Sequence, residues 1–313
     1  VSAPSLLFPG QGSQRVGMGA DLCREFAVAR EVFSEADQAL GEPLSQLCFA
    51  GPEDALTLTE NAQPALLATA IAVARVLQAE GGIVPDVAAG HSLGEWSALV
   101  CMDALSLDDA LRAVRARGRY MQEAIAPGVG AMAALLGADL PTVRVLCDEA
   151  SSADEIVVPA NVNGAGQIVV SGHVAAVERL EGRAAKQRVR AMRLKVSAPF
   201  HSPLMAPARE RMAVLLRDLA VRAPRGVVLG NVDGEPYPAG NAEAVRARLS
   251  AQITSTVLWE ACARAVAART DAGIEAGPGK VLCGLFRRIE PEFRCLPTDD
   301  VAGVRAVLAA VRA

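Results

Sequence analysis

Ser92 sits in Gly90-His91-Ser92-Leu93-Gly94, between the apolar run from Ile83 to Ala89 and the segment from Glu95 to Val100. This is the G-x-S-x-G spacing of a nucleophile elbow. The glycines permit a tight strand-to-helix turn, the serine hydroxyl projects from it, and the helix directs its first N–H groups at the reacting centre. Such geometry serves acyl transfer through a covalent serine ester. The same five residues also suit a plain small-residue turn between a buried strand and a helix, so the partners of Ser92 decide between the two readings.

A serine nucleophile needs a base, and the chain has three histidines, His91, His173 and His201. General-base assistance is typically worth about 10² to 10⁴ in rate. His201, in Pro199-Phe200-His201-Ser202, is favoured by placement, because it follows the end of an inserted segment. His91 adjoins the serine, but neighbours on an elbow point apart, which assigns it to local packing. His173 reads as a surface or helix-capping histidine. An α/β-hydrolase places an acid between serine and histidine in chain order. Here the acids between Ser92 and His201 fall mostly in the segment 129–197 or on helix surfaces. A backbone carbonyl or an amide, not a carboxylate, is therefore expected to orient His201, giving a two-residue catalytic pair.

Ser106 with Asp109 three residues on forms a weak capping box that opens a helix running to about Ile125. Along it Leu107, Ala110, Leu111, Val114, Gly118, Met121 and Ile125 share one face at 100° per residue, and Arg117 lies about 60° from its centre. An arginine at that edge is either a snorkelling rim residue or a buried fork awaiting a carboxylate. Taken alone, the snorkelling reading leads, because unpaired buried charge is costly. Gln11, in the loop Gly10-Gln11-Gly12-Ser13-Gln14 after the first strand, is placed as an N–H donor to an oxyanion. One such donor is worth roughly 10² to 10³ in rate. A phosphate loop is excluded there and at Gly277-Pro278-Gly279-Lys280, since neither supplies G-x-x-x-x-G-K-[ST].

The elements that must position these residues follow an α/β pattern. A strand at 6–8, helical segments to about 80, and strand, elbow and helix over 83–102 come first. Between Gly130 and Val196 the order becomes βαββαβ: a strand at 131–136, a helix at 141–150, strands at 156–159 and 167–171 joined by an Asn/Gly-rich loop, a helix at 174–187 and a strand at 191–196. That is the ferredoxin-like split βαβ unit. A helix to about 219, a strand at 227–229, a helix around 259–268 and a turn at 273–277 resume the larger pattern. The expected fold is an α/β-hydrolase-like large domain over 1–128 and 198–313 with an inserted ferredoxin-like small domain over 129–197. A substrate cleft is expected between them.

Composition narrows the partners. A formal net charge of −4 with scattered Lys and Arg argues against nucleic acid. Seven cysteines form no C-x-x-C pair and read as buried thiols of a cytosolic protein, while the histidines lack metal-ligand spacing. The expectation is no metal, no export signal and no membrane span, the charge-free stretches 61–74 and 124–138 being short and broken by Pro64 and by Pro127-Gly128.

In order, Phe8-Pro9-Gly10-Gln11-Gly12-Ser13-Gln14, Gln63-Pro64-Ala65, Gly90-His91-Ser92-Leu93-Gly94-Glu95, Arg115-Ala116-Arg117-Gly118-Arg119-Tyr120-Met121-Gln122, Asn161-Val162-Asn163, Pro199-Phe200-His201-Ser202, Asn231-Val232-Asp233 and Gly277-Pro278-Gly279-Lys280-Val281-Leu282 span nearly the whole chain. Together they resemble the malonyl-CoA:acyl-carrier-protein transacylases of fatty-acid synthesis and the related acyltransferase domains of polyketide synthases.

The resemblance implies that Ser92 is acylated and His201 is its base, with Gln11 and the backbone N–H of Leu93 as the oxyanion hole. Arg117 becomes the bidentate partner of the malonyl carboxylate, reversing the snorkelling reading, and Gln63 joins the substrate site. The main-chain carbonyl of Gln252 would hold the histidine. Phe200 before the histidine accompanies malonyl selection in the polyketide relatives, whereas Trp96 departs from the commoner tyrosine or phenylalanine.

Ping-pong transfer from malonyl-CoA to the phosphopantetheine thiol of an acidic acyl carrier protein follows, with no cofactor of the enzyme's own and a cytoplasmic monomer as the working form. Arg188, Arg190, Arg193, Lys195, Arg287 and Arg288 could flank the cleft mouth for that carrier. The rival readings are a trans-acting acyltransferase for a polyketide synthase, a serine hydrolase or thioesterase using the same pair, and an inactive docking protein.

Overall fold

The computed structural model describes residues 3–312 apart from 195 and 197. Among the described residues, nine strands form two sheets. The first is parallel throughout, in the order β7 (Val227–Val228), β2 (Val87–Gly90), β1 (Ser5–Phe8), β8 (Ala272–Glu275) and β9 (Arg294–Pro297). Its central strands are fully or nearly fully buried and mostly apolar, both faces being covered, with Ser5 and Glu275 the polar exceptions in β1 and β8. Leu6 and Phe8 enter one core cluster with Ala88, while Leu7 enters another with Val87 and Ala89, the period-2 alternation of a strand. β1 and β2 pair in the register Phe8↔Gly90. Their carboxyl ends therefore lie side by side, and the loop carrying Gln11 emerges next to the turn carrying Ser92.

The second sheet is antiparallel, with β3 (Gly130–Leu136), β4 (Val157–Gly164), β5 (Gln167–His173) and β6 (Arg190–Arg193) in the order β4-β5-β3-β6. The helices Leu140–Ala150 and Val174–Lys186 complete the βαββαβ order and close a separate core around Leu135, Leu146, Val170 and Leu180. The Asn/Gly-rich stretch expected as a loop is instead strand: β4 runs through Asn161 and Asn163, with register irregularities after Pro159 and Val162. Its far edge is held by the larger unit, since Val162 N–H donates to Val257 O and Val257 N–H to Ala160 O, each at 2.8 Å. β6 ends at Arg193, short of the expected 196, and Lys195 lies outside the described residues.

Two further expectations change. Cys283, on the helix Val281–Ile289, and Cys295, on β9, are joined in a disulfide with Cα atoms 5.1 Å apart; the other five cysteines are free thiols, four of them buried. A 12-residue spacing gave no hint of that pairing. The helix Thr59–Gly81 continues past Pro64 and is long and apolar enough to cross a membrane, yet 83% of its most apolar window is buried inside the protein. It is the central helix of the main core.

Candidate active site

The elbow exists because two backbones nearly touch. A Cβ on Gly94 would lie 2.0 Å from the Phe8 carbonyl oxygen, and one on Gly90 would lie 1.9 Å from the Gly94 carbonyl carbon. Only glycine fits at either place, and the helix Leu93–Cys101 is thereby pressed onto β1 and β2. Ser92 occupies the turn with φ 51° and ψ −103°. Such backbone persists only where its surroundings over-determine it. Asn231 does so: its Oδ1 accepts the Ser92 N–H at 2.7 Å and its Nδ2 donates to Gly90 O at 2.8 Å.

Ser92 Oγ lies 2.8 Å from His201 Nε2, and His201 Nδ1 lies 2.9 Å from Gln252 O. A carbonyl only accepts, so Nδ1 carries the proton and Nε2 is left as the acceptor facing the serine. Among the described residues, no carboxylate hydrogen-bonds to the His201 ring. Burial first, then the charge of Arg117, push the His201 pKa down to about 3, so the ring is neutral and ready as a base. His201 also has positive φ, 56°, at the point where the chain returns from the small unit.

Arg117 is 1% exposed, so it does not snorkel. Its helix, Leu107–Glu123, opens with the Ser106 side chain accepting from Asp109 N–H. It presses against Thr59–Gly81 so closely that a Cβ on Gly118 would lie 2.6 Å from Thr59 O. That approach sets Arg117 Nη1 at 2.7 Å from Gln63 Oε1. Nη2 donates to Gln252 Oε1 at 2.9 Å and to Ser92 Oγ at 3.3 Å. All three partners are neutral, and the buried Nε has no hydrogen-bond partner among the described residues. Burial lowers the Arg117 pKa only to about 10, with Glu95 opposing the shift. At neutral pH the guanidinium is thus a desolvated cation that forms no ion pair with a described carboxylate, beside the nucleophile. Such a cation is costly unless an anion joins it.

Ser92, His201, Arg117 and Gln63 line a cavity of about 410 Å³, with Met121, Met132, Asn161 and Phe200 on its walls. Gln11 is exposed at its rim, where Nε2 donates to Thr59 Oγ1 at 3.3 Å. Leu93 is the first residue of its helix, so its N–H has no intrahelical acceptor. His91 is engaged through Nε2 with Asn163 Oδ1 at 2.8 Å, which ties the elbow to β4. His173 Nδ1 accepts the Ile156 N–H at 3.0 Å on the small unit.

Of the six basic residues expected to receive a partner, Arg188, Arg190, Arg287 and Arg288 are exposed, and none of them lines the cavity. Arg193 is taken up by Glu181 at 2.9 and 2.7 Å. Arg288 reaches across to Gln167 Oε1 at 2.8 Å, joining the two units. The reading of residues missed Asn231 and Asn163 as working parts. Both lie in Asn-containing stretches that the resemblance had marked without assigning a role.

Residues 6–288 match the acyl transferase domain family. Malonyl CoA-acyl carrier protein transacylase of Escherichia coli K12 is 42% identical over 307 residues, covering 97% of this chain and 98% of that protein. The Bacillus subtilis 168 protein of the same name is 42% identical over 303 residues, covering 96% and 94%. Among solved structures, the Coxiella burnetii malonyl CoA-acyl carrier protein transacylase superposes with a TM-score of 0.95 at 36% identity over 99% of this chain and 98% of that one. A malonyl-transacylase solved in complex with a type II polyketide acyl-carrier protein gives 0.95 at 39% identity, over 99% and 100%. The chain belongs to the malonyl-CoA:acyl-carrier-protein transacylase family of acyltransferases.

Proposed function

We propose that Ser92 and His201 are the catalytic pair through which this chain moves a malonyl group from coenzyme A to the phosphopantetheine thiol of an acyl carrier protein. The observation that carries this reading is Arg117, a buried cation 3.3 Å from Ser92 Oγ whose Nε has no hydrogen-bond partner, and which has no paired carboxylate, among the described residues. A malonyl group bound to Ser92 brings the missing anion, and the planar fork suits a carboxylate in bidentate fashion. A hydrolase of neutral acyl esters gains nothing from that charge.

His201 Nε2 takes the Ser92 proton as Oγ attacks the thioester carbonyl, and Gln11 with the Leu93 N–H receives the developing oxyanion. Collapse expels the coenzyme A thiolate, which takes the proton from His201. The carrier thiol then gives its proton to His201 and attacks the malonyl-serine ester, and Ser92 leaves reprotonated. The carboxylate stays on Arg117 through both halves, assisted by Gln63, and Phe200 narrows the pocket against a branched acyl chain.

The chemistry uses these side chains with no cofactor of the enzyme's own; malonyl-CoA is a substrate, and phosphopantetheine belongs to the carrier. We assign carrier docking to Arg188, Arg190, Arg287 and Arg288, with the exposure of all four in support. We read the large unit (1–128 and 198–313) as α/β-hydrolase-like and 129–197 as a ferredoxin-like insertion, supported by the antiparallel β4-β5-β3-β6 order. A cytoplasmic monomer serving fatty-acid synthesis is the working assignment. A trans-acting role in polyketide assembly is the second, favoured by the likeness to the transacylase solved with a polyketide carrier.

The test is intact-protein mass spectrometry after mixing with acyl-CoA thioesters, followed by transfer to fatty-acid and polyketide carriers. A malonyl adduct on the wild type that is absent from Ser92→Ala supports the mechanism. An adduct surviving on the variant refutes it.

A further inference from the structure

Glu95 is fully buried in the first turn of the helix behind the nucleophile. Three neutral residues donate to its carboxyl group. Tyr237 donates its hydroxyl to Oε1, Gln252 donates Nε2 to Oε2, and the Asn231 N–H donates to Oε2 at 3.2 Å. Gln252 Nε2 also donates to Ser92 O at 3.0 Å.

A side-chain amide has two faces of opposite polarity, and nothing in its shape says which way round it sits. Here an acceptor on one side settles the question. With Nε2 held by Glu95 Oε2 and Ser92 O, Oε1 must face the other way, onto Arg117 Nη2 at 2.9 Å. Turned over, the amide would present N–H groups to the guanidinium and repel it. The same residue lends its main-chain carbonyl to His201.

We propose that Glu95 is a positioning residue that fixes the amide of Gln252 and thereby the orientation of the Arg117 fork that selects a carboxylate-bearing acyl group. The role does not depend on the charge of Glu95. Burial raises its pKa to about 7 against the pull of its donors, and a proton on Oε1, facing Tyr237, leaves Oε2 an acceptor. Glutamine at 95 can present the same oxygen. The inference rests on Arg117 reading the malonyl carboxylate, and the experiment separates failure of one from failure of the other.

The rates of Ser92 loading by malonyl-CoA and by acetyl-CoA are measured separately by time-resolved mass spectrometry, and their ratio is compared among variants. Glu95→Ala is expected to lower the malonyl-to-acetyl ratio by about tenfold or more, since sub-ångström misplacement of a positioning group carries losses of that order. Glu95→Gln is expected to restore the ratio to within about threefold of wild type, the scale of one neutral hydrogen bond. If Glu95→Ala does not fold, Glu95→Asp keeps the charge, withdraws the carboxylate by one methylene, and should lower the ratio in the same direction. Equal loss on both substrates, an unchanged ratio in Glu95→Asp, or a fall in Glu95→Gln as large as in Glu95→Ala overturns the proposal. Arg117→Ala is run beside them: a ratio that collapses there but holds in Glu95→Ala overturns the Glu95 role alone, and a ratio that holds in Arg117→Ala overturns the Arg117 reading.

Discussion

Arg117 Nη2 lies 3.3 Å from Ser92 Oγ, so the residue proposed to recognise the acyl group and the residue proposed to bond to it share a hydrogen bond. Under the proposed roles, the acyl chain between ester and carboxylate is short enough to bridge that gap, and its far end is anionic.

Arg117→Ala should therefore separate recognition from chemistry. Truncating one partner of a buried charged contact costs about 2–5 kcal/mol. Malonyl loading should fall on the order of 10²-fold in kcat/KM, while acetyl loading should change by less than about tenfold. Parallel loss on both substrates would count against the carboxylate role. The same cation burdens the empty protein, so Arg117→Met should unfold at higher urea, by about 1 kcal/mol or more. A lower midpoint would show that the guanidinium holds the core together.

The state of His201 sets a pH profile. Its pKa is moved from about 6.5 to about 3 by burial and by Arg117, so the base is already neutral at pH 5. Acylation at saturating malonyl-CoA should run level through pH 6.5, with no inflection of an ordinary imidazole; a midpoint near 6.5 would contradict this. Stability follows with a definite sign. The unfolded chain binds the proton below about 6.5 and the folded chain does not, so this contribution is complete above 6.5 and is lost as pH falls towards 3. Burial also lowers His91, and both act in the same direction. His201→Gln should melt with a shallower loss between pH 6.5 and 5 than wild type.

Glu95 works in the opposite sense. Its pKa is raised from 4.5 to about 7, chiefly by burial. Its contribution is complete below 4.5 and is lost as pH rises through about 7. The melting temperature of Glu95→Gln relative to wild type should climb between pH 5 and pH 7.5. A constant difference across that interval would show that the carboxyl titrates alike in both states.

Gly94→Ala places a methyl group on the Phe8 carbonyl and should destabilise the protein by more than about 4 kcal/mol, measured by urea unfolding. Gly182→Ala is the control: it lies inside the helix Val174–Lys186, and its Cβ would meet open space. A gain of about 0.5–1 kcal/mol is expected there from helix propensity.

The chemistry was more legible than the wiring. Ser92 stands out by residue type and by its flanking glycines, His201 by its placement, and the absence of a suitable acid already pointed to a backbone carbonyl or an amide as the partner of the histidine. Arg117 was ambiguous because helical periodicity places it at the margin of an apolar stripe and says nothing of the helix that packs beyond it. Gly118 and Thr59 decide the matter, and they lie on different helices. Glu95 carried no assigned role in the sequence, since its contacts come from Asn231, Tyr237 and Gln252, all more than 130 residues away in sequence. The Asn161 to Gly164 stretch looked like a loop because its composition is that of turns; pairing with β5 on one side and a bond to Val257 on the other make it strand.

The close contact of Gly118 with Thr59 also bears on how such an enzyme changes over time. The proposed nucleophile follows β2 of the parallel sheet, whereas the arginine and glutamine proposed to choose the cargo lie on two helices clamped together at that contact. Cargo and chemistry are thus separately heritable. A lineage could trade one acyl group for another by altering the helix pair while the elbow stays intact, and a designer can begin from the same division of labour.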